Sequence, residues 1–494
     1  MALSRTEMFN EAKKLELQGL EKYMISSACM PKLDELLHDV YAAHRPKPID
    51  YHNRRDLIRI FNDISKELYG KSGNIPVVEV YGSFVMDLFS VESDLDLSVS
   101  FCNSFGSLPR DMKIKTLRKF AKKFFALQRA GHVDGVQTIM SARVPIIKLV
   151  DCGTGIECDL SVENTDGIVK SQIVYLISRI DRRFQKLSFL MKAWAKAHNI
   201  NSPKDRTLSS FGIISLVAFH LQTRDPPILP PLSTLFEDGT DPASVMKRIE
   251  TYLEFGKRNK ESVADLLFSL LVKVASAENL WQKGLCASLY EGSWTSKLWD
   301  PYYNSINVED FTDLSQNVAR AVGTEEFQEI YRCIHSSLSN LLAFSDNQME
   351  GNKLVDLLFG TKSACIPRQL STKNVDESKD QSPPELKGHQ TKRVRVEVKA
   401  GIGWEENQLE KGLNRKQPTQ SSGTANQVEF RGGRQQADGP VGNTQVDGLG
   451  GDQQYHGEAT SNLNAKDETP LVTTRTPLVG TLCNSISQQT PLVS

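Results

Sequence analysis

The 494-residue sequence predicts an α+β fold, a mixed sheet flanked by helices and followed by a mainly helical body. Three observations carry that expectation. Apolar runs with period-two alternation cluster between residues 77 and 164, the spacing of half-buried strands. From Ser171 to about Phe344 the pattern becomes almost wholly helical. Beyond about residue 361, Gly, Gln, Ser, Thr and Asn dominate, and only Trp404, Phe430 and Tyr455 are aromatic. Such a tail buries too little apolar surface to offset its ordering entropy, so residues 361–494 are expected to be disordered.

The elements follow in order. Residues 7 to 42 carry leucines and charges at helical spacing, and Arg54 to Tyr69 reads as a second amphipathic helix. Its apolar side would hold Leu57, Ile60, Phe61, Ile64 and Leu68. A strand from Val77 breaks at Gly82-Ser83, and an alternating segment then begins at Asp94. A strongly basic helix spans Lys113 to Gln128. The run Val144 to Val150 reads as a hairpin partner of the alternating stretch Gly155 to Val162, with Pro145 confining it to an edge or a strand start. A proline-rich loop, Asp225 to Pro231, interrupts the later helices. The expected division is 1–50 as N-terminal helices packing on the helical domain, 51–170 as the sheet domain, 171–360 as the helical domain and 361–494 as the tail.

Composition narrows the class. A hydrophobic content of 39% and a charged content of 24% are ordinary for a globular protein. Net charge is −1, so any nucleic-acid binding must come from a local basic groove. Eight cysteines include no C-x-x-C pair, and Cys152 and Cys158 read as core thiols. No signal-peptide core precedes the first helix, and the apolar run Phe211 to Leu221 is too short for a bilayer. The expectation is a soluble, reduced, cytoplasmic chain without a membrane partner, the nucleus being a second location. In the tail, Lys392-Arg393-Val394-Arg395 reads as a solvated linker rather than an import signal, and Arg431 to Arg434 is one isolated RGG-like element. Thr-Pro-Leu-Val recurs at Thr469, Thr476 and Thr490, either as a motif for a protein partner or as low-complexity drift.

The chemistry lies at Gly82-Ser83 and at Asp94-Leu95-Asp96. Alternation places Asp94, Asp96 and Ser98 on one face of a strand, opposite Leu95, Leu97 and Val99. Two such carboxylates can share a pair of divalent cations, and a glycine upstream lets backbone N–H groups approach phosphate. A third carboxylate is expected on a neighbouring strand, and Asp159 alternates with Cys158 and Leu160 there. The combination suits moving a nucleotidyl group from a nucleoside triphosphate. Lys192 and Lys196 share one helical face, placed either for the β- and γ-phosphates or as a solvated surface.

Gly-Ser, Asp-x-Asp and a later strand Asp resemble the polymerase-β-type nucleotidyltransferases, and the closer resemblance is to noncanonical poly(A) polymerases and terminal uridylyltransferases. Asn164, five residues after Asp159, the helix Phe189 to Ile200, the turn Leu208-Ser209-Ser210-Phe211 and the stretch Val308 to Arg320 extend it over roughly residues 1 to 345. Phe219 to Leu232 is similar to plant members that tail small RNAs. The resemblance implies a polymerase-β-like catalytic domain packed on a poly(A)-polymerase-associated helical domain. It implies Mg²⁺, with Mn²⁺ as the alternative, on Asp94, Asp96 and Asp159. It also implies that an RNA 3′ end and a nucleoside triphosphate are the partners.

Further roles follow from the same resemblance. Gly82 and Ser83, at the mouth of a following helix, would meet the phosphates, Ser83 being equally a plain helix N-cap, and Asn164 would meet the ribose or else be a turn-forming residue capping the strand. Ser210 would be a helix N-cap or a phosphate and base contact, and Phe211 either a core residue or a stacking face where the family usually has Tyr. Asp310 would contact the base edge or act as a surface N-cap. Gln316 stands where related uridylyltransferases often have His, and its amide can meet a uracil or an adenine edge. The basic helix is the expected contact for the RNA backbone, with a solvated face as the plain reading. UTP is the favoured nucleotide through the plant likeness; the rivals are an adenylyltransferase, a non-catalytic RNA-binding paralogue and, more distantly, an enzyme that modifies small molecules or proteins with nucleotides.

Overall fold

The structure, a computed structural model, describes residues 4–70, 74–101, 108–297, 299 and 306–360. The whole tail expected to be disordered, with its Lys-Arg, RGG-like and Thr-Pro-Leu-Val elements, lies outside the described residues.

The chain opens with α1 (Arg5–Lys22), α2 (Met30–His44) and α3 (Pro48–Tyr69). The helix expected over residues 7 to 42 is therefore two helices. Pro31 sits in the first turn of α2, and proline lacks the N–H that a helix arriving from upstream would require. On α3, Leu57, Phe61 and Ile64 are buried as expected, but Ile60 is 47% exposed.

A five-stranded sheet follows, built from β1 (Val77–Tyr81), β2 (Leu95–Ser100), β3 (Val133–Ile139), β4 (Ile146–Asp151) and β5 (Glu157–Val162). Its spatial order is β1-β2-β5-β4-β3, with β2 and β5 parallel and every other pair antiparallel. Pro145 sits just before β4, the strand start that proline tolerates. Leu95, Leu97, Val99, Cys158, Leu160 and Val162 all face one side and are buried with Leu57 and Phe61 of α3. Leu117, Phe120 and Phe124 of α4 (Arg110–Arg129), the basic helix, complete that core. Cys158 is buried as expected, whereas Cys152 is exposed because it lies in the turn between β4 and β5.

The helical body contains α5 (Thr165–Ser178), α6 (Arg182–Ala197), α7 (Ser210–Gln222), α8 (Pro242–Ile249), α9 (Val263–Ser276), α10 (Thr324–Ser345) and α11 (Gly351–Phe359). It also holds an unanticipated hairpin, β6 (Leu285–Ser288) with β7 (Ser293–Ser296). A second core gathers Phe184, Leu187, Val217, Phe219, Leu271, Trp281, Tyr331 and Leu338, and Leu33, Leu37 and Val40 of α2 join it. A buried ion network ties α1 to this body: Lys273 Nζ lies 2.7 Å from Glu16 Oε2, and Arg224 reaches both Glu16 and Glu261. Among the described residues no helix is long and apolar enough to cross a membrane.

Candidate active site

Sheet register builds the centre of the site. In the parallel pairing of β2 with β5, Asp96 stands opposite Asp159. Adjacent strands run about 4.8 Å apart, so paired residues on one face bring their side chains together. Asp94 lies one residue before β2 rather than within it. One carboxylate oxygen from each of Asp94, Asp96 and Asp159 falls within 4.8 Å of the others. Burial, then the charges of Asp94 and Asp159, push the Asp96 carboxyl well above its ordinary range. Burial likewise pushes Asp159 up to about 6, against the opposing pull of Lys148. Three crowded carboxylates, of which Asp96 and Asp159 are pushed up, are a fitting donor set for a hard divalent cation, which would relieve their repulsion.

The turn after β1 is shaped for this centre. Gly82 has φ +70°, and a Cβ there would lie 1.9 Å from Asp96 Oδ2. Its N–H donates to Ser171 Oγ at 2.7 Å. Ser83 was expected at the mouth of a helix, but residues 82–87 form turns. Its Oγ is buried without a hydrogen-bond partner among the described residues.

The segment from Leu88 to Asp94 is gripped from two sides. Arg54, 1% exposed on α3, donates from Nη2 to Ser93 O at 2.6 Å and Val91 O at 3.1 Å, and its guanidinium stacks 4.6 Å from the Phe89 ring. From α6, Lys192 Nζ donates to Leu88 O at 2.6 Å, and Lys196 pairs with Glu92 at 2.8 Å. Burial lowers Lys192 to about 8, with Asp94 and Asp96 holding its charge against that loss. Lys192 is thus inside the site, whereas Lys196 is exposed at its rim.

Arg54→Lys keeps the charge but loses the planar fork that holds several carbonyls at once. It is expected to lower catalytic efficiency about tenfold and to raise the Mg²⁺ concentration for half-maximal activity, the usual scale for a group that orients a metal ligand. A Mg²⁺ titration of nucleotide transfer, beside a thermal melt, measures it. An unchanged Mg²⁺ dependence would limit Arg54 to packing.

The remaining predicted residues divide. Asn164 is the N-cap of α5, its Oδ1 accepting from Gly167 N–H at 3.3 Å, so it caps a helix rather than the strand. Ser210 is not the cap of α7, because Ser209 takes that role by accepting from Gly212 N–H; Ser210 Oγ meets the Asn201 side chain instead. Phe211 lies 5.6 Å from the Phe311 ring, with Lys170 Nζ 5.4 Å from its centroid. Asp310 is 4% exposed and ion-paired to Lys170 at 2.6 Å, so the surface N-cap expected as one alternative does not hold. Gln316 accepts from Arg143 Nη1 at 3.4 Å, a contact between the β3–β4 turn and the 308–320 stretch. Buried Asn317 ties that stretch together, its Oδ1 accepting from Val308 N–H and Ala319 N–H.

Sequence reasoning missed Arg54, Arg143, Lys148 and Lys170. Lys148 faces Asp159 across β4–β5, with Nζ 3.0 Å from Oδ1. Its signal was available, since Ile147 and Leu149 are core residues and the lysine between them must point to the acidic face.

Comparison with known proteins follows the same outline. The central palm domain of mitochondrial-like poly(A) RNA polymerases matches residues 33–179. Protein HESO1 of Arabidopsis thaliana is 32% identical over 352 residues, which is 67% of this chain and 67% of its own. The speckle targeted PIP5K1A-regulated poly(A) polymerase of Homo sapiens is 30% identical over 226 residues, 42% of this chain and a quarter (25%) of that protein. The Mus musculus mitochondrial poly(A) RNA polymerase is 36% identical over 102 residues, 20% of this chain and 17% of that protein. Among solved structures, mtPAP in complex with ATPγS superposes with a TM-score of 0.55 at 20% identity, over 67% of this chain and 74% of that one. Cid1 in complex with its short product ApU gives 0.51 at 21% identity, over 63% and 94%. At these identities the shared property is the fold, a polymerase-β-like catalytic domain with its helical partner.

Proposed function

Because the chain belongs to the family of noncanonical poly(A) polymerases and terminal uridylyltransferases, we propose that it adds untemplated nucleotides, preferentially uridines from UTP, to RNA 3′ ends. The observation that carries this is the convergence of Asp94, Asp96 and Asp159 within 4.8 Å.

In this reading the three carboxylates hold Mg²⁺, with Mn²⁺ as the alternative. Bound there, the ions supply positive charge to the triphosphate and acidify the attacking 3′-hydroxyl. The chain's own residues do the rest. Ser83 Oγ, buried and unpartnered among the described residues, donates to a phosphate oxygen. Lys192 exchanges the Leu88 carbonyl for phosphate, where a compact ammonium suffices. Lys148, paired with Asp159, holds that carboxylate toward the other two. Phe211 offers a ring for base stacking, worth roughly 1–3 kcal/mol.

Uridine preference is supported at Gln316. With Arg143 donating to its Oε1 and one amide hydrogen given to Ser315 Oγ at 3.1 Å, the side chain keeps one N–H to offer a base. That donor suits the O4 carbonyl of uracil, whereas on adenine it could meet only a ring nitrogen and not the amino group. The poly(A) polymerases among the relatives supply the second reading, adenylyl transfer on the same centre. Labelled RNA incubated with Mg²⁺ and each nucleotide separately distinguishes them. Extension with UTP is expected to exceed that with ATP at least several-fold; the reverse order would replace uridine by adenosine.

A further inference from the structure

Beside the carboxylate centre, at the C-terminal end of β5, lies a pocket of about 270 Å³ lined by Arg110, Lys113, Arg143, Pro145, Glu163 and Asn164 among others. Three cations there face one carboxylate. Each cation is fixed by a neutral acceptor: Arg110 donates to the carbonyls of Met140, Ala142 and Arg143, Lys113 to Glu163 O, and Arg143 to Gln316 Oε1. None of the three is within ion-pair distance of a carboxylate among the described residues. The Glu163 carboxylate is itself engaged by the Phe101 N–H at 2.8 Å. Positive charge is therefore held in place by neutral acceptors at a concave site that ends on Asn164, and of the three cations only Arg143 also acts on a carboxylate beyond the pocket, Asp313.

The rest of α4 is a weaker candidate than its sequence suggested. Lys123 is paired with Glu67, and Lys119 stands over the Tyr69 ring at 3.4 Å. Lys115, Arg118 and Lys122 are exposed on the outer face. The preorganised charge sits at the first turn of the helix and on the β3–β4 turn.

We infer that Arg110, Lys113 and Arg143 form a subsite for the backbone phosphates of the single-stranded RNA acceptor, upstream of its 3′ end. Glu163 follows Asp159 by four residues, about 13 Å along a strand at roughly 3.3 Å per residue. That places the pocket beyond the reacting bond and within reach of the neighbouring nucleotides. An RNA strand fits better than the triphosphate, whose phosphates belong at Ser83 and Lys192 on the other side of the carboxylates. The inference rests on the reading of the protein as an RNA 3′-end transferase.

The test uses the full chain with Arg110→Ala/Lys113→Ala and, as a charge-keeping control, Arg110→Lys. Binding of a labelled 20-nucleotide RNA is followed by fluorescence anisotropy across a salt series without nucleotide, and KM is then measured separately for RNA and for UTP. Each lost phosphate contact should reduce the log–log salt slope by about 0.7. The double variant is expected to lose about 1.4 of slope and to raise the KM for RNA about tenfold, with a much smaller rise in the KM for UTP, passed through the turn that carries Arg143. Arg110→Lys should keep most of the slope, although it breaks the fork to the turn carbonyls. An unchanged slope in the folded double variant, or a change confined to the KM for UTP, would overturn the subsite. Because anisotropy needs no catalysis, wild-type protein that binds RNA but extends nothing would refute the transferase reading and leave the slope to decide the subsite.

Discussion

Asp96→Asn is expected to abolish RNA extension, lowering its rate by about 10³-fold or more, while leaving the metal-free protein at least as stable as wild type. Asp96 carries both halves of that expectation. It projects from β2 between Asp94 and Asp159, where burial and its two neighbours hold its carboxyl well above the ordinary range. Without cations, an amide of the same shape replaces a carboxyl that is costly to ionise there and costs nothing in packing. With cations, the amide is a poorer ligand and a charge is missing. Metal stabilisation of the transferring phosphoryl group is worth several kcal/mol, and each 1.36 kcal/mol is tenfold in rate. Single-turnover extension of labelled RNA measures the first half; thermal melts with and without Mg²⁺ measure the second. Mg²⁺ should raise the wild-type melting temperature and barely move that of the variant. A variant that extends RNA at a comparable rate would remove Asp96 from the chemistry.

Gly82→Ala is expected to be nearly as damaging, about 10³-fold, though no charged group is touched. Two penalties combine. The backbone at φ +70° lies in the left-handed region that disfavours any Cβ, by roughly 1–2 kcal/mol. The added methyl would also lie 1.9 Å from Asp96 Oδ2, far inside contact distance, so the carboxylate must swing from its place among the other two. The methyl thus acts as a displacement of Asp96, and the same single-turnover assay reads it. The cause is separable: Gly82→Ala should melt lower than wild type, whereas Asp96→Asn should not. Full activity in a folded Gly82→Ala protein would mean that the turn can move away, and that the close approach of glycine to Asp96 is incidental.

Much of this site was legible in the chain, for a physical reason. β2 and β5 alternate strictly because one face is sealed against α3 and α4 and the other carries Asp96, Ser98, Asp159 and Ser161, so both strands and their acidic face could be read from spacing. β3 could not. Its register shifts between Asp134 and Gln137, around Gly135 at φ +60°, and a bulge breaks the period-two pattern. The β6–β7 hairpin was hidden differently, since every residue of β6 is buried and no alternation remains.

Arg54 was invisible because its partners are backbone carbonyls more than thirty residues away, and carbonyls carry no side-chain signature. The role of Asp310 was obscured by Lys170, a contact across 140 positions that only the packing of α5 against the 308–320 stretch creates. Ser209 and Ser210 are both plausible caps in sequence; the backbone decides between them, with Ser209 extended and Ser210 already helical.

The most direct measurement of the central claim is extension of one labelled RNA presented with a free 3′-hydroxyl or with a 3′-deoxy end, in Mg²⁺ and UTP, with released pyrophosphate quantified beside it. The hydroxyl-ended RNA alone is expected to lengthen, with one pyrophosphate for each nucleotide added. Lengthening of neither RNA with any of the four nucleotides, or equal labelling of both ends, would contradict it.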